Sequence, residues 1–139
     1  MKNKLNPYHE LTELYDPFGI FGIQSILFES FKKVMFAGCD GRKKSRKRDL
    51  KEAKYSIERA IRMIEEQGVS GKIEWIDADF IKVLSVKYIA ITYDGFHFTW
   101  GMELLEFCRT GKIKKLKKVA SGIGRMLNDF EPERVENGK

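Results

Sequence analysis

From Arg42 to Arg48 the chain reads Arg-Lys-Lys-Ser-Arg-Lys-Arg, six cations in seven positions. Like charges at this density repel one another unless phosphates or carboxylates neutralise them, and phosphate contact would be strongly salt-dependent through counterion release. Arg42, Lys43, Lys44, Arg46, Lys47 and Arg48 are therefore candidate contacts for nucleic acid or for an acidic protein surface. A second basic group follows from helical spacing. Lys114, Lys118 and Arg125 fall within roughly 40° of one another on a helical wheel, with Lys115 and Lys117 on the flanks. Tyr55, Trp75 and Tyr88 are the aromatic candidates for stacking on bases.

Catalytic chemistry has a thinner basis. His9 and His97 are the only histidines. His97 with Asp94 or Tyr88 would offer acid–base groups for RNA cleavage if the fold brought them together. Glu74, Asp77 and Asp79 form a small acidic cluster of the kind that holds divalent ions, but cap and turn roles account for it equally well. Cys39 and Cys108 lack the spacing and histidine companions of a structural zinc site. Gly19 with Gly22, and Gly122 with Gly124, lack the strand-turn-helix context and Lys-Ser/Thr ending of a phosphate loop. The sequence assigns no catalytic residue, no metal and no cofactor.

Composition sets the frame for these groups. The 139 residues are one domain's worth, with 42% hydrophobic residues including ten Phe, five Tyr and two Trp, enough for a core. The net charge of +6 is concentrated around the 42–48 run and in the Lys-rich stretch from Lys112, a distribution that speaks to partners rather than to fold. Two cysteines without a secretion signal suggest free thiols in a reducing compartment. No apolar run reaches the roughly 18 residues of a membrane span. The expectation is a cytoplasmic protein with no membrane contact, its oligomeric state open.

The positioning elements follow from periodicity and caps. Asn6-Pro7 opens a short helix to about Tyr15, interrupted by Asp16-Pro17, Gly19 and Gly22. Residues 23–36 form an apolar helix closed by Gly38 and Gly41, which also bound an exposed basic loop over 40–48. Asp49, with Glu52 at the third position, reads as the cap of a helix over 50–67 whose Leu50, Ala53, Ile57, Ala60, Ile61 and Ile64 share one face. Residues 72–100 have strand character. The clearest element is a hairpin over 87–100 turning at Asp94-Gly95, which pairs Tyr93 with Phe96, Ile91 with Phe98 and Ile89 with Trp100 on one face. His97 then lies partly exposed on the other face. A short helix over 102–108 and a longer one from Thr110 to about Phe130 complete the chain, with Gly122 and Gly124 weakening the latter and permitting either close helix packing or a bend.

The fold class expected is α+β: a small antiparallel sheet with its central hairpin at 87–100, packed against four to five helices. It forms a single compact domain over 1–131 followed by a charged tail, 132–139. The function expected is that of a non-catalytic accessory protein contacting DNA or RNA phosphates through the basic loop and basic helix face. Two alternatives accompany it: a protein-binding module or inhibitor docking on an acidic or nucleic-acid-binding groove of a larger enzyme, and a small ribonuclease or nuclease.

Overall fold

The computed structural model describes residues 22–130. The expected helix over 6–15 and the tail 132–139 lie outside the described residues. Within them the protein is all-helical, and the α+β expectation is overturned. The elements are α1 (Ile23–Phe36), α2 (Arg46–Gln67), α3 (Ala78–Tyr88), α4 (Gly95–Thr110) and α5 (Ile113–Asp129).

Four of these helices form a ring in which α1 packs on α2, α2 on α5, α5 on α4, and α4 back on α1. Each neighbouring pair runs antiparallel. Arg46 at the start of α2 meets Met126 near the end of α5, whereas Glu65 near the end of α2 pairs with Lys117 near the start of α5. Helix α2 therefore ends at the pole opposite to the one where α4 begins. The connection from 68 to 94 has to climb the length of the bundle, and α3 is the helix formed on that climb, lying outside the ring against α4. Long crossovers of this type are a known variant of four-helix topology.

Local sequence explains the helices that replace the expected hairpin. Asp94 does not enter a two-residue β-turn. It is the N-cap of α4, and its carboxylate accepts a hydrogen bond from the His97 backbone N–H at 3.0 Å. Gly95 is the first residue of that helix. Asp77 caps α3 in the same way by accepting from Phe80 N–H at 2.9 Å, so the Asp77-Ala78-Asp79 interruption is a helix start. The buried residues of α4, namely His97, Trp100, Gly101, Leu104, Leu105, Phe107 and Cys108, recur at three- and four-residue spacing. Burying that face in the ring outweighs the strand preference of its aromatic and β-branched residues. The short 102–108 helix is the second half of α4.

The core is drawn from all four ring helices, with Leu50, Ile57, Met63, Leu104, Phe107, Leu116 and Ile123 among its buried side chains. Helix α5 approaches α4 closely at Gly122. A Cβ there would lie 2.6 Å from the Trp100 indole nitrogen, so the close packing expected of this glycine is realised. Gly38 has φ +84° and a comparable role in the α1–α2 connection, where a side chain would run into the Tyr93 ring and the Arg46 stem.

Candidate functional site

The basic run is divided by a helix cap. Ser45, rather than Asp49, is the N-cap of α2, its hydroxyl accepting from Arg48 N–H at 3.1 Å. Arg42, Lys43 and Lys44 precede the helix, while Arg46, Lys47 and Arg48 form its first turn. Cations there oppose the positive end of the helix dipole, and carboxylates compensate. Asp49 is fully buried and receives both Nε (3.0 Å) and an Nη (2.8 Å) of Arg42, a two-bond fork. Glu52 accepts from Lys44 at 2.8 Å and from Arg48 at 3.2 Å, with Lys33 at 3.9 Å. Burial acts to raise the Glu52 pKa, but its Lys44 and Arg48 bonds prevail and hold the carboxyl below its ordinary range.

Arg46 turns inward. Its guanidinium lies 4.3 Å from the Tyr93 ring centroid and 5.2 Å from that of Phe130. It donates to His97 Nε2 at 3.1 Å and to the Met126 sulfur at 2.9 Å, with Asp94 at 3.7 Å. His97 is fully buried, not a partly exposed hairpin residue. Its Nδ1 lies 2.8 Å from the Val34 carbonyl oxygen. Since that oxygen only accepts, the proton sits on Nδ1, leaving Nε2 free to accept from Arg46. Burial lowers the His97 pKa, opposed by the Val34 bond and Asp94 and assisted by Arg46. The ring is thereby committed to neutral, structural bonding.

The second basic group is also paired. Lys115 and Lys118 share Glu103 at 3.3 and 3.4 Å, and Lys117 meets Glu65 at 2.7 Å. Seven of the eleven candidate cations thus have a carboxylate partner within the chain, and Lys47 is half-buried and engaged. Lys43, Lys114 and Arg125 are exposed. The run is not a bare tether of unneutralised charge. Nor do the two basic groups adjoin. The run sits at the pole where α2 begins and Lys114–Lys118 at the pole where it ends, with about 25 Å of helix between Arg48 and Glu65; of the second group only Arg125, next to Met126, falls toward the pole of the run.

The aromatic candidates separate in a similar way. Tyr88 is half-buried, its ring edge-on to Phe31 and Phe36. Tyr55 is half-exposed with the Arg59 guanidinium 5.8 Å away. Trp75 is 67% exposed and packs edge-on against Phe80. Of the acidic cluster, Asp77 is the α3 cap, and among the described residues no three His, Cys, Asp or Glu side chains converge as metal ligands would. Both cysteines are free thiols. Burial and Asp40 raise the Cys39 pKa, and its thiol donates to the Ile91 carbonyl at 3.4 Å; burial pushes the Cys108 thiol up to about 12.

Two apolar surfaces went unread in the sequence because they depend on α3 being a helix. The first is a groove of about 390 Å³ between α1 and α3, floored by α4 and lined by Leu27, Phe28, Phe31, Trp75, Phe80 and Leu84 among others. The second is the outward side of α3 and the turn after it, where Val83, Val86, Ile89 and Ile91 are each more than half exposed. Lys82 and Lys87 flank these residues and are exposed. Among the described residues no helix is long and apolar enough to cross a membrane. In comparisons with known proteins, no family model, no curated protein and no solved structure matches the chain.

Proposed function

We propose that this helical bundle is a protein-binding module. It docks through the outward side of α3 and the following turn on a partner surface that is apolar at its centre and acidic at its rim. The observation that carries the reading is the set of exposed aliphatics Val83 (54%), Val86 (72%), Ile89 (61%) and Ile91 (52%) on one short, peripheral stretch. Single exposed apolar residues need no explanation, whereas four within nine positions form a patch of the kind that marks a contact site. Lys82 and Lys87 border it without an ionic partner among the described residues, which favours carboxylates on the facing surface and disfavours a basic one. An apolar centre inside a charged rim is how protein interfaces are built, while phosphate-backbone contact draws on cations and gains nothing from aliphatics.

The test is site-specific photocrosslinking from position 86 in the native cell, followed by reconstitution with the purified captured protein. Binding that weakens at least tenfold in Val83→Asp/Val86→Asp, yet persists when Lys43, Lys44 and Arg48 are neutralised, supports the module. Binding of generic DNA or RNA that is salt-dependent and lost on neutralising those three cations, with the α3 variant unaffected, would overturn it in favour of polyanion contact.

A further inference from the structure

We infer that the cleft between the last turns of α1 and the loop leading into α2 binds a small phosphorylated molecule through its phosphate dianion. This site is separate from the outward side of α3 and goes beyond the docking role of that surface. Lys32 and Lys33 of α1 and Arg42, Lys43 and Lys44 of the loop line a cleft of about 330 Å³, with Glu29 as the one carboxylate in its lining. Gly41, at φ +91°, supplies the turn that brings the cations of the loop opposite those of α1.

Ion pairs within the chain build this cleft without using up its donors. The Arg42–Asp49 fork takes two of the five N–H donors of the guanidinium, while Lys44 and Arg48 converge on Glu52. Lys33 is in a different state. Its side chain is only 19% exposed, yet its ammonium stands 3.8 Å from Glu29 and 3.9 Å from Glu52, beyond hydrogen-bonding distance. Its three N–H donors are thus held at a half-buried position with no acceptor among the described residues. Lys32 stands 3.6 Å from the same Glu29, and Lys43 is exposed with no carboxylate partner among the described residues. With Arg48, six cations gather here against Glu29, Asp49, Glu52 and the exposed Asp40 of the same loop, an excess of two positive charges. That excess matches a phosphomonoester, which carries about −1.5 to −2 charge at pH 7 and three strong acceptor oxygens. A phosphodiester backbone would need a track of cations, and the Lys114–Lys118 group lies at the opposite pole. The cleft falls at the small end of the range for ligand pockets, about 300–1,000 Å³, which leaves room for a phosphate and a small group esterified to it.

Calorimetric titration of the full-length chain with glycerol 3-phosphate at low salt tests this directly. Saturable one-to-one binding is expected. It should weaken about tenfold in Lys33→Gln and at least as much in Lys43→Glu, each losing a charge-assisted contact, and stay unchanged in Lys114→Gln. Dimethyl phosphate, a singly charged diester, should bind about tenfold more weakly than the monoester. Inorganic phosphate binding as tightly as glycerol 3-phosphate would support the site with the free ion as its source; tighter binding of the ester would support a phosphorylated molecule. Lys43 is exposed, so its substitution leaves the fold intact, and unchanged affinity in Lys43→Glu would overturn the inference whatever Lys33→Gln does. So would a titration with glycerol 3-phosphate that never saturates. An oligonucleotide without a terminal phosphate that binds more tightly than the ester and displaces it would also overturn the inference, because a polyanion would then be the ligand.

Discussion

The Nε–H of Arg46 is hydrogen-bonded to Nε2 of His97 at 3.1 Å, across 51 residues of sequence and inside the junction of α1, α2, α4 and α5. The pairing works only while the imidazole is neutral, because a second ring proton would face the guanidinium. Burial lowers the folded-state pKa below the ordinary 6.5. Just below that pH the unfolded chain therefore binds more protons than the folded one, and stability falls as the pH falls. We predict that the contribution is complete above 6.5, declines as pH drops through 6.5 toward the lower folded value, and is flat beneath it. Thermal melts should show this slope in the unaltered protein and a flatter one in His97→Gln, whose amide oxygen can still accept from Arg46. The Glu52 carboxylate acts in a separate, more acidic window, its stabilisation lost as pH falls from 4.5 through its lower folded value.

Arg42 and Asp49 should behave as one unit. Asp49 is wholly buried and Arg42 keeps 30% of its side chain in solvent. Removing the cation with Arg42→Ala leaves an uncompensated buried carboxylate, expected to cost about 3 kcal/mol, the low end for broken buried pairs because solvent still reaches the site. Arg42→Met/Asp49→Leu together should cost less than Arg42→Ala alone. Denaturant unfolding of the set, arranged as a double-mutant cycle, measures the coupling.

Gly122→Ala is expected to destabilise the bundle despite the higher helix propensity of alanine. The propensity gain is about 1 kcal/mol, whereas overpacking against a buried indole costs about 1–3 kcal/mol. Gly95→Ala is the control, since nothing lies within 4 Å of a Cβ there. It should be neutral or stabilising by chemical denaturation.

Ser45→Ala should destabilise α2 by about 1 kcal/mol through loss of its cap, a larger effect than Lys44→Gln or Arg48→Gln. Those exposed pairs are worth about 0–1 kcal/mol each. Raising the salt concentration should erase the effect of the lysine and arginine changes and leave that of the serine.

How far the sequence could be read divides along the same lines. The apolar stripes of α1, α2 and α5 were legible because their three- and four-residue spacing coincides with what is buried: Leu50, Ala53, Ile57, Ala60 and Ile61 in α2, and Leu116, Val119, Ala120 and Ile123 in α5. The start of α2 was misplaced by four residues. A run of cations argues for a loop; the Ser45 cap is the one local signal against it, and the partners that offset the charge, Asp49 for Arg42 and His97 for Arg46, are met only in the fold. The 87–100 stretch was misread for a different reason. Ile89, Ile91 and Tyr93 alternate as a strand would, with Phe96 facing Tyr93 across the expected turn, yet all four are among the exposed residues. The competing spacing of His97, Trp100, Leu104 and Cys108 was present in the sequence and decides the structure. Placing the chemistry was harder still, since which lysine meets which glutamate is set by helix pairing that periodicity does not encode.

The two tryptophans stand at opposite extremes of environment, Trp75 at 67% exposure on the groove and Trp100 at 7% against Gly122. The chain therefore carries two built-in optical reporters. Trp100 should emit at short wavelength, resist iodide quenching, and change only when α4 and α5 part. Trp75 should be sensitive to whatever enters or leaves the groove. In Trp100→Phe the remaining fluorescence would follow occupancy of the groove, and in Trp75→Phe it would follow integrity of the bundle, so the two events can be timed separately in one molecule.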